Sequence, residues 1–130
     1  MIRKILSPVL LLLAIGLSFQ CKKNNNPQVL TGKLVIAGPC ANYVIQVLRG
    51  PIDSSRLVKR WTNPDNDSVY TNVFAVSNSC TFAGSGVTKG QVFQFEFDSN
   101  PPAQNCLRCD IAVSLPPVSN AVKNTAAINM

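Results

Sequence analysis

The sequence predicts an all-β domain, a small antiparallel sandwich or barrel stabilised by disulfides. Three observations predict it. Val92 to Asp98 alternates Phe93, Phe95 and Phe97 with Gln94, Glu96 and Asp98, which puts three rings on one face of a strand and three polar groups on the other. Other short runs rich in β-branched and aromatic residues are separated by Gly, Pro and Asn, with almost no amphipathic helix between them. Cys40, Cys80, Cys106 and Cys109 give the even count of a disulfide framework.

The elements follow in order along the chain. Gly32–Ile36 alternates weakly and stops at a Gly38-Pro39 turn. Tyr43–Leu48 holds Val44, Ile45 and Val47 in a nearly continuous apolar run, which predicts a strand buried on both faces. Gly50-Pro51 breaks it. Leu57–Thr62 fits a helical turn capped by Ser54 or Ser55, or a strand; so short a piece does not hold as a helix without packing, which favours the strand. Asn63–Asp67 is a loop, and Tyr70–Val76 is strand-rich in composition. Gly84-Ser85-Gly86 and Lys89-Gly90 lead into Val92–Asp98, and Asp110–Leu115 supplies a further strand ended by Pro116-Pro117. Six or so strands at this spacing indicate a sandwich or small barrel. A five-stranded oligonucleotide/oligosaccharide-type barrel is the specific alternative. The β domain thus runs over residues 31–118, and 119–130 adds an edge strand or stays loose.

The first 30 residues have a different character. Arg3 and Lys4 begin the chain, Val9–Phe19 is apolar, and Cys21 is followed at once by Lys22, Lys23, Asn24, Asn25, Asn26 and Pro27. The apolar stretch is eleven residues long, too short for the ~20 a membrane-crossing helix needs, but within the ~7–15 of a signal-peptide core. With Leu17-Ser18-Phe19-Gln20-Cys21 at its end, this segment resembles the signal peptides of bacterial lipoproteins. That resemblance implies cleavage before Cys21, leaving 1–20 as the signal peptide, and a diacylglyceryl group on the Cys21 sulfur. The alternative is an ordinary secretory peptide cut near Gly16 or Ser18, with Cys21 a spare thiol. Lipidation would hold residues 21–30 as a short polar tether beneath the domain. Each buried methylene contributes ~0.8 kcal/mol, and two or three chains make a durable anchor. The partner so implied is membrane lipid, and the address is the cell envelope, on the outer membrane's periplasmic or surface side.

Charge and residue types exclude several function classes. The formal net charge of +6 falls to +2 for residues 24–130 once Arg3, Lys4, Lys22 and Lys23 are set aside. Only Arg56, Lys59 and Arg60 cluster, and no nucleic-acid motif surrounds them, so no nucleic-acid partner is expected. The chain has no His, which removes the commonest general base and the usual triads. Cys106-Leu107-Arg108-Cys109 has the spacing of a redox pair, but a strand-like Ile111-Ala112-Val113 follows it where a helix belongs. Asp110 stands where c-type haem attachment needs His. A four-cysteine zinc site fits by count, but export favours disulfides. The preferred pairing joins Cys40 to Cys80 and Cys106 to Cys109; the alternatives join Cys40 and Cys80 to the Cys106/Cys109 pair in either sense.

Neither catalytic residues nor a cofactor site are expected. Glu96 and Asp98 share a strand face, as outward carboxylates on any solvated strand do, whereas glycoside hydrolysis needs two that oppose each other across a sugar. Asn63, Asp65 and Asp67 echo the start of a calcium loop, but Ser68 and Phe74 occupy the Gly and closing Glu positions, so a solvated turn is the better expectation and no metal is assigned. Asp67-Ser68-Val69 is similar to the Asp-Ser/Thr-aliphatic acceptor of bacterial O-glycosylation, which makes Ser68 a candidate for modification. Trp61, Tyr43 and Tyr70 are the aromatics able to stack on a sugar or anchor a partner. Trp61 is the best placed, flanked by Lys59, Arg60 and the 63–68 loop with Asp65 and Asp67. The sequence therefore predicts an exported, lipid-anchored, non-enzymatic domain that binds an envelope protein or glycan or plays a structural part there, with a small carbohydrate-binding or carbohydrate-active protein as the alternative.

Overall fold

The computed structural model describes residues 28–106 and 113–128. Seven strands form one mostly antiparallel sheet: β1 (Leu30–Gly38), β2 (Asn42–Arg49), β3 (Val58–Thr62), β4 (Val69–Val76), β5 (Val92–Phe97), β6 (Ser119–Asn120) and β7 (Val122–Ala127). The lateral order is β3-β4-β2-β1-β5-β7, and β6 pairs in parallel with β4. Residues 119–127 thus touch β4 through Ala75 and Val76 at one end and β5 at the other. This one segment links the β7 edge to β4, the strand next to the β3 edge. The bridge is only two residue pairs long, so the sheet is not a closed ring of full-length strands.

Leu30, Leu34, Ile45, Phe74, Phe93, Phe95 and Val122 fill the interior, none more than 2% exposed. Phe93 and Phe95 are fully buried as their alternation predicts, but Phe97, at the end of β5, is only half-buried. Val44 and Ile45 are both buried, consistent with a strand covered on two sides, whereas Leu48 is 45% exposed. A register shift against Thr31 and Gly32 leaves Leu48 as the extra residue of β2, and such a bulge re-aims the side chain it carries.

Turns close where the sequence punctuates. β1 and β2 are joined through Pro39, Cys40 and Ala41, and the last two take left-handed backbone (φ 64° and 61°), a conformation disfavoured for residues with a Cβ. Asn42 donates its side-chain amide to the Pro39 carbonyl at 2.9 Å. The strand favoured at Leu57–Thr62 is present as β3, and the 3-10 turn Ser54–Arg56 just before it is capped by Asp53 rather than by Ser54 or Ser55. The strand expected at Asp110–Leu115 is not present over 113–115, and 110–112 lie outside the described residues. No helix among the described residues is long and apolar enough to cross a membrane.

One element has no counterpart in the expectation. Ser79–Ala83 forms a short helix, α1. Its Phe82 is buried edge-on to Tyr43 (4.9 Å between centroids) and tilted against Phe93 (5.9 Å). The Gln104 side-chain carbonyl accepts from the Cys80 N–H at 2.9 Å, satisfying an N-terminal donor that an isolated helix leaves open. Beside it the Cys80–Cys106 disulfide pins the 101–106 segment to α1, with Cα atoms 5.6 Å apart. The preferred pairing, Cys40 with Cys80 and Cys106 with Cys109, is therefore incorrect in both halves. Cys40 is also disulfide-bonded, while Cys109 and Cys21 lie outside the described residues. A bridge spanning 26 positions contributes about 3.5 kcal/mol in the chain-entropy account.

Candidate functional site

The β3–β4 hairpin gathers the predicted ligand contacts. Trp61 and Tyr70 are direct cross-strand partners, which places their side chains on the same face. The two rings lie 6.0 Å apart, 26° from parallel, and both residues are half-buried. Tyr43 belongs instead to the packing around α1.

The loop above this pair is held by its own backbone. Asn63 is 6% exposed; its N–H donates to the Ser68 carbonyl at 2.8 Å, its carbonyl accepts from Asp67 N–H at 2.8 Å, and its side-chain oxygen accepts from Asp65 N–H at 3.0 Å. Asn66 accepts from Ser68 N–H at 3.0 Å. These are Asx turns, the use of Asn that makes it a turn residue. Asp67 takes φ 59°. Ser114 donates its hydroxyl to the Asp65 carboxylate at 3.3 Å, tying the loop to the segment before β6. Asp65 and Asp67 are exposed and Ser68 is half-buried.

Asn63, the supposed first ligand of a calcium loop, turns its oxygen onto the loop's own backbone. Among the described residues no cluster of three or more His, Cys, Asp or Glu is able to hold a metal ion. The hairpin therefore offers a paired aromatic surface at the base of a rigid acidic loop. Tyr70 also borders a depression of about 250 Å³ with Lys33 and Lys89.

A second concavity, about 430 Å³, lies between the 54–56 turn and the β5–β7 edge. Asp53, Arg56, Glu96, Phe97 and Lys123 line it. The Ser55 N–H bond to its carboxylate, 2.9 Å long, holds the Asp53 pKa below its ordinary value; the Ser55 side chain and, more weakly, the Arg56 charge act in the same direction. A bulge in β7 gives Asn124 left-handed backbone (φ 52°), and its amide donates to the Glu96 carboxylate at 2.5 Å. Asp98 accepts instead from the Asn100 N–H at 3.0 Å, so the described carboxylates of the strand do not converge. Sequence reasoning missed this cleft because its residues come from four separated segments. The Asp53-Ser54-Ser55-Arg56 capping pattern was its one local signal.

Compared with known proteins, the chain matches no family model, and no curated protein or solved structure resembles it significantly. Function must be argued from these surfaces alone.

Proposed function

We propose that this chain is an exported domain anchored in the cell envelope through a lipid on Cys21, and that it acts by binding or as a structural part there, not as an enzyme. The Cys80–Cys106 bridge carries the reading. Cytosolic thiols are kept reduced, whereas small exported domains use disulfides to offset a limited core. The bonded state of Cys40 supports the same compartment, and the charged, apolar, Cys-terminated order of residues 1–21 supplies the route.

The native chain is expected to sediment with membranes and to yield an N-terminal peptide that starts at Cys21 and carries acyl mass. Cys21→Ser is expected to move it to the soluble envelope fraction with its fold intact. Recovery of wild-type chain from cytosol, with Met1 in place and every thiol reactive, would overturn the reading.

A glycan is the second reading for what is bound, and the half-buried Trp61–Tyr70 pair favours it, because aromatic faces stack on the apolar face of sugar rings while carboxylates such as Asp65 and Asp67 accept hydroxyl hydrogen bonds. Trp61 is the single Trp of the chain, so its emission reports on the site directly. Soluble N-acetylglucosamine oligomers are expected to shift that emission saturably. Tyr70→Ala should weaken the binding by about tenfold, the loss of one stacking partner. Emission indifferent to oligosaccharides removes this reading and leaves the anchored domain standing.

A further inference from the structure

We propose that the cleft between the 54–56 turn and the β5–β7 edge binds a phosphate-bearing zwitterion of the phosphoethanolamine kind, supplied by the head group of a membrane lipid. The lipid source rests on the anchored placement proposed above; the zwitterion chemistry rests on the cleft itself.

The cleft brings together two cations, Arg56 and Lys123, and two carboxylates, Asp53 and Glu96. Among the described residues neither cation donates a side-chain hydrogen bond or joins an ion pair. Both carboxylates are engaged from within the protein, Asp53 by the N–H and the side chain of Ser55 and Glu96 by Asn124. Glu96 keeps one oxygen without a protein donor, and Asp53 is bonded only by the exposed Ser55, so both carboxylates can accept from a ligand.

This balance decides the ligand class. At equal distance a carboxylate repels an anion as strongly as a cation attracts it. A bare anion drawn to Arg56 and Lys123 would be repelled comparably by Asp53 and Glu96. A ligand with an anionic and a cationic end satisfies both pairs. The cationic end should carry N–H bonds, since the open carboxylate oxygens are acceptors only. A trimethylated ammonium would instead need an aromatic cage, and the one ring here, Phe97, already carries Arg56 with its guanidinium carbon 4.8 Å from the centroid.

The phosphate end is preorganised. Arg56 donates its N–H to the Asp53 carbonyl at 2.9 Å and accepts at its own carbonyl from the Asn120 amide at 2.7 Å. With the backbone held on both sides and the guanidinium laid on Phe97, little ordering entropy remains to be lost on binding, and a planar guanidinium suits phosphate oxygens. Gln28 also lines the cleft. It stands seven residues after Cys21, a tether of at most about 25 Å when stretched, so an anchored domain keeps the cleft within reach of head groups. The cavity volume exceeds that of phosphoethanolamine and leaves room for the glycerol to which the phosphate is esterified.

The test uses the mature chain as Cys21→Ser, which carries no acyl group, titrated by NMR with O-phosphoethanolamine, inorganic phosphate and O-phosphocholine. Phosphoethanolamine is expected to shift the Arg56 and Lys123 resonances and to bind at least about tenfold tighter than either comparator. Arg56→Gln should weaken it about tenfold, and Glu96→Gln should erase the preference over phosphocholine. Equal binding of all three, or none, overturns the site. A second arm compares co-sedimentation with vesicles of phosphatidylcholine alone and with phosphatidylethanolamine added. Retention only on the latter supports the lipid source. Soluble binding without retention overturns that source and leaves the zwitterion site. The absence of acyl mass on the native chain would refute the anchor, a result independent of both arms.

Discussion

Asn78→Leu is expected to lower the unfolding free energy by about 2–5 kcal/mol, since it orphans two buried backbone groups at once. Asn78 is 2% exposed, as is Val122. Its amide donates to the Val122 carbonyl at 2.6 Å, and its oxygen accepts from the Val122 N–H at 2.9 Å. One side chain thus replaces a missing strand partner at the point where β7 begins. It gives the short helix α1 no side-chain cap, because both of its polar atoms are already used. A leucine shares the branching of asparagine but removes the bonds, and its greater bulk adds an overpacking cost in the same direction. Each buried group left without a partner costs about 1–3 kcal/mol, against a total near 5–15 kcal/mol for a domain. Urea unfolding followed by Trp61 emission measures the difference, and a change within 0.5 kcal/mol of wild type would show that water replaces the side chain there. Asn78→Asp sharpens the case. It retains the acceptor for Val122 N–H but turns a second oxygen toward the Val122 carbonyl. A buried carboxyl without a cation has its pKa raised in the folded state, so protonation stabilises this variant. Its stability should be higher at pH 4 than at pH 7 and be lost as pH rises through the raised value.

Much of the fold was legible because it rests on periodicity. The alternation of Phe93, Phe95 and Phe97 located β5, and the β-branched runs located β2 and β4 within a residue or two. Punctuation at Gly38-Pro39 and Gly50-Pro51 found the ends of β1 and β2. What was not legible depends on distant partners. Five residues of α1 are too few for a helical period to register; the helix is held by Phe82 in the core, Gln104 at its N-terminus and Cys80 bonded to Cys106. The cysteine pairing failed for the same reason, since spacing along the chain carries no information on which loops lie side by side. The tail is polar in sequence, yet Val122 reaches the core and backbone pairing with β5 does the rest. For the candidate site the outcome is similar. Trp61 stood out for its polar flanks, but its stacking on Tyr70 required the hairpin register. The cleft of Arg56, Glu96 and Lys123 required strands β5 and β7 to meet.

Phe95→Ala is expected to cost about 3–5 kcal/mol, the range for emptying a buried aromatic site. The ring is fully buried and touches three others: Phe93, Phe74 and Phe97 at 5.6, 5.8 and 5.8 Å between centroids. Whether the neighbours can collapse into the space is decided at Gly32. A Cβ added there would sit 2.8 Å from the Phe95 ring, 2.8 Å from Ile45 Cγ2 and 3.1 Å from the Gln46 carbonyl oxygen. Gly32 is thus the gap in β1 that lets the Phe95 ring lie against the sheet. Gly32→Ala alone is expected to cost about 1–3 kcal/mol from overpacking. With Phe95→Ala also present, the ring contact disappears and the new methyl enters the vacated space. Only the Ile45 and Gln46 contacts then oppose it. The two changes should be less than additive by about 1 kcal/mol, within the usual coupling of touching residues; strict additivity would mean that the ring does not occupy the Gly32 gap. The effect reaches the surface as well, because Phe97 packs on Phe95 and carries Arg56. Phe95→Ala should therefore weaken phosphoethanolamine binding even in molecules that remain folded, whereas Gly32→Ala, which adds volume beneath the same ring, should displace Arg56 without releasing it.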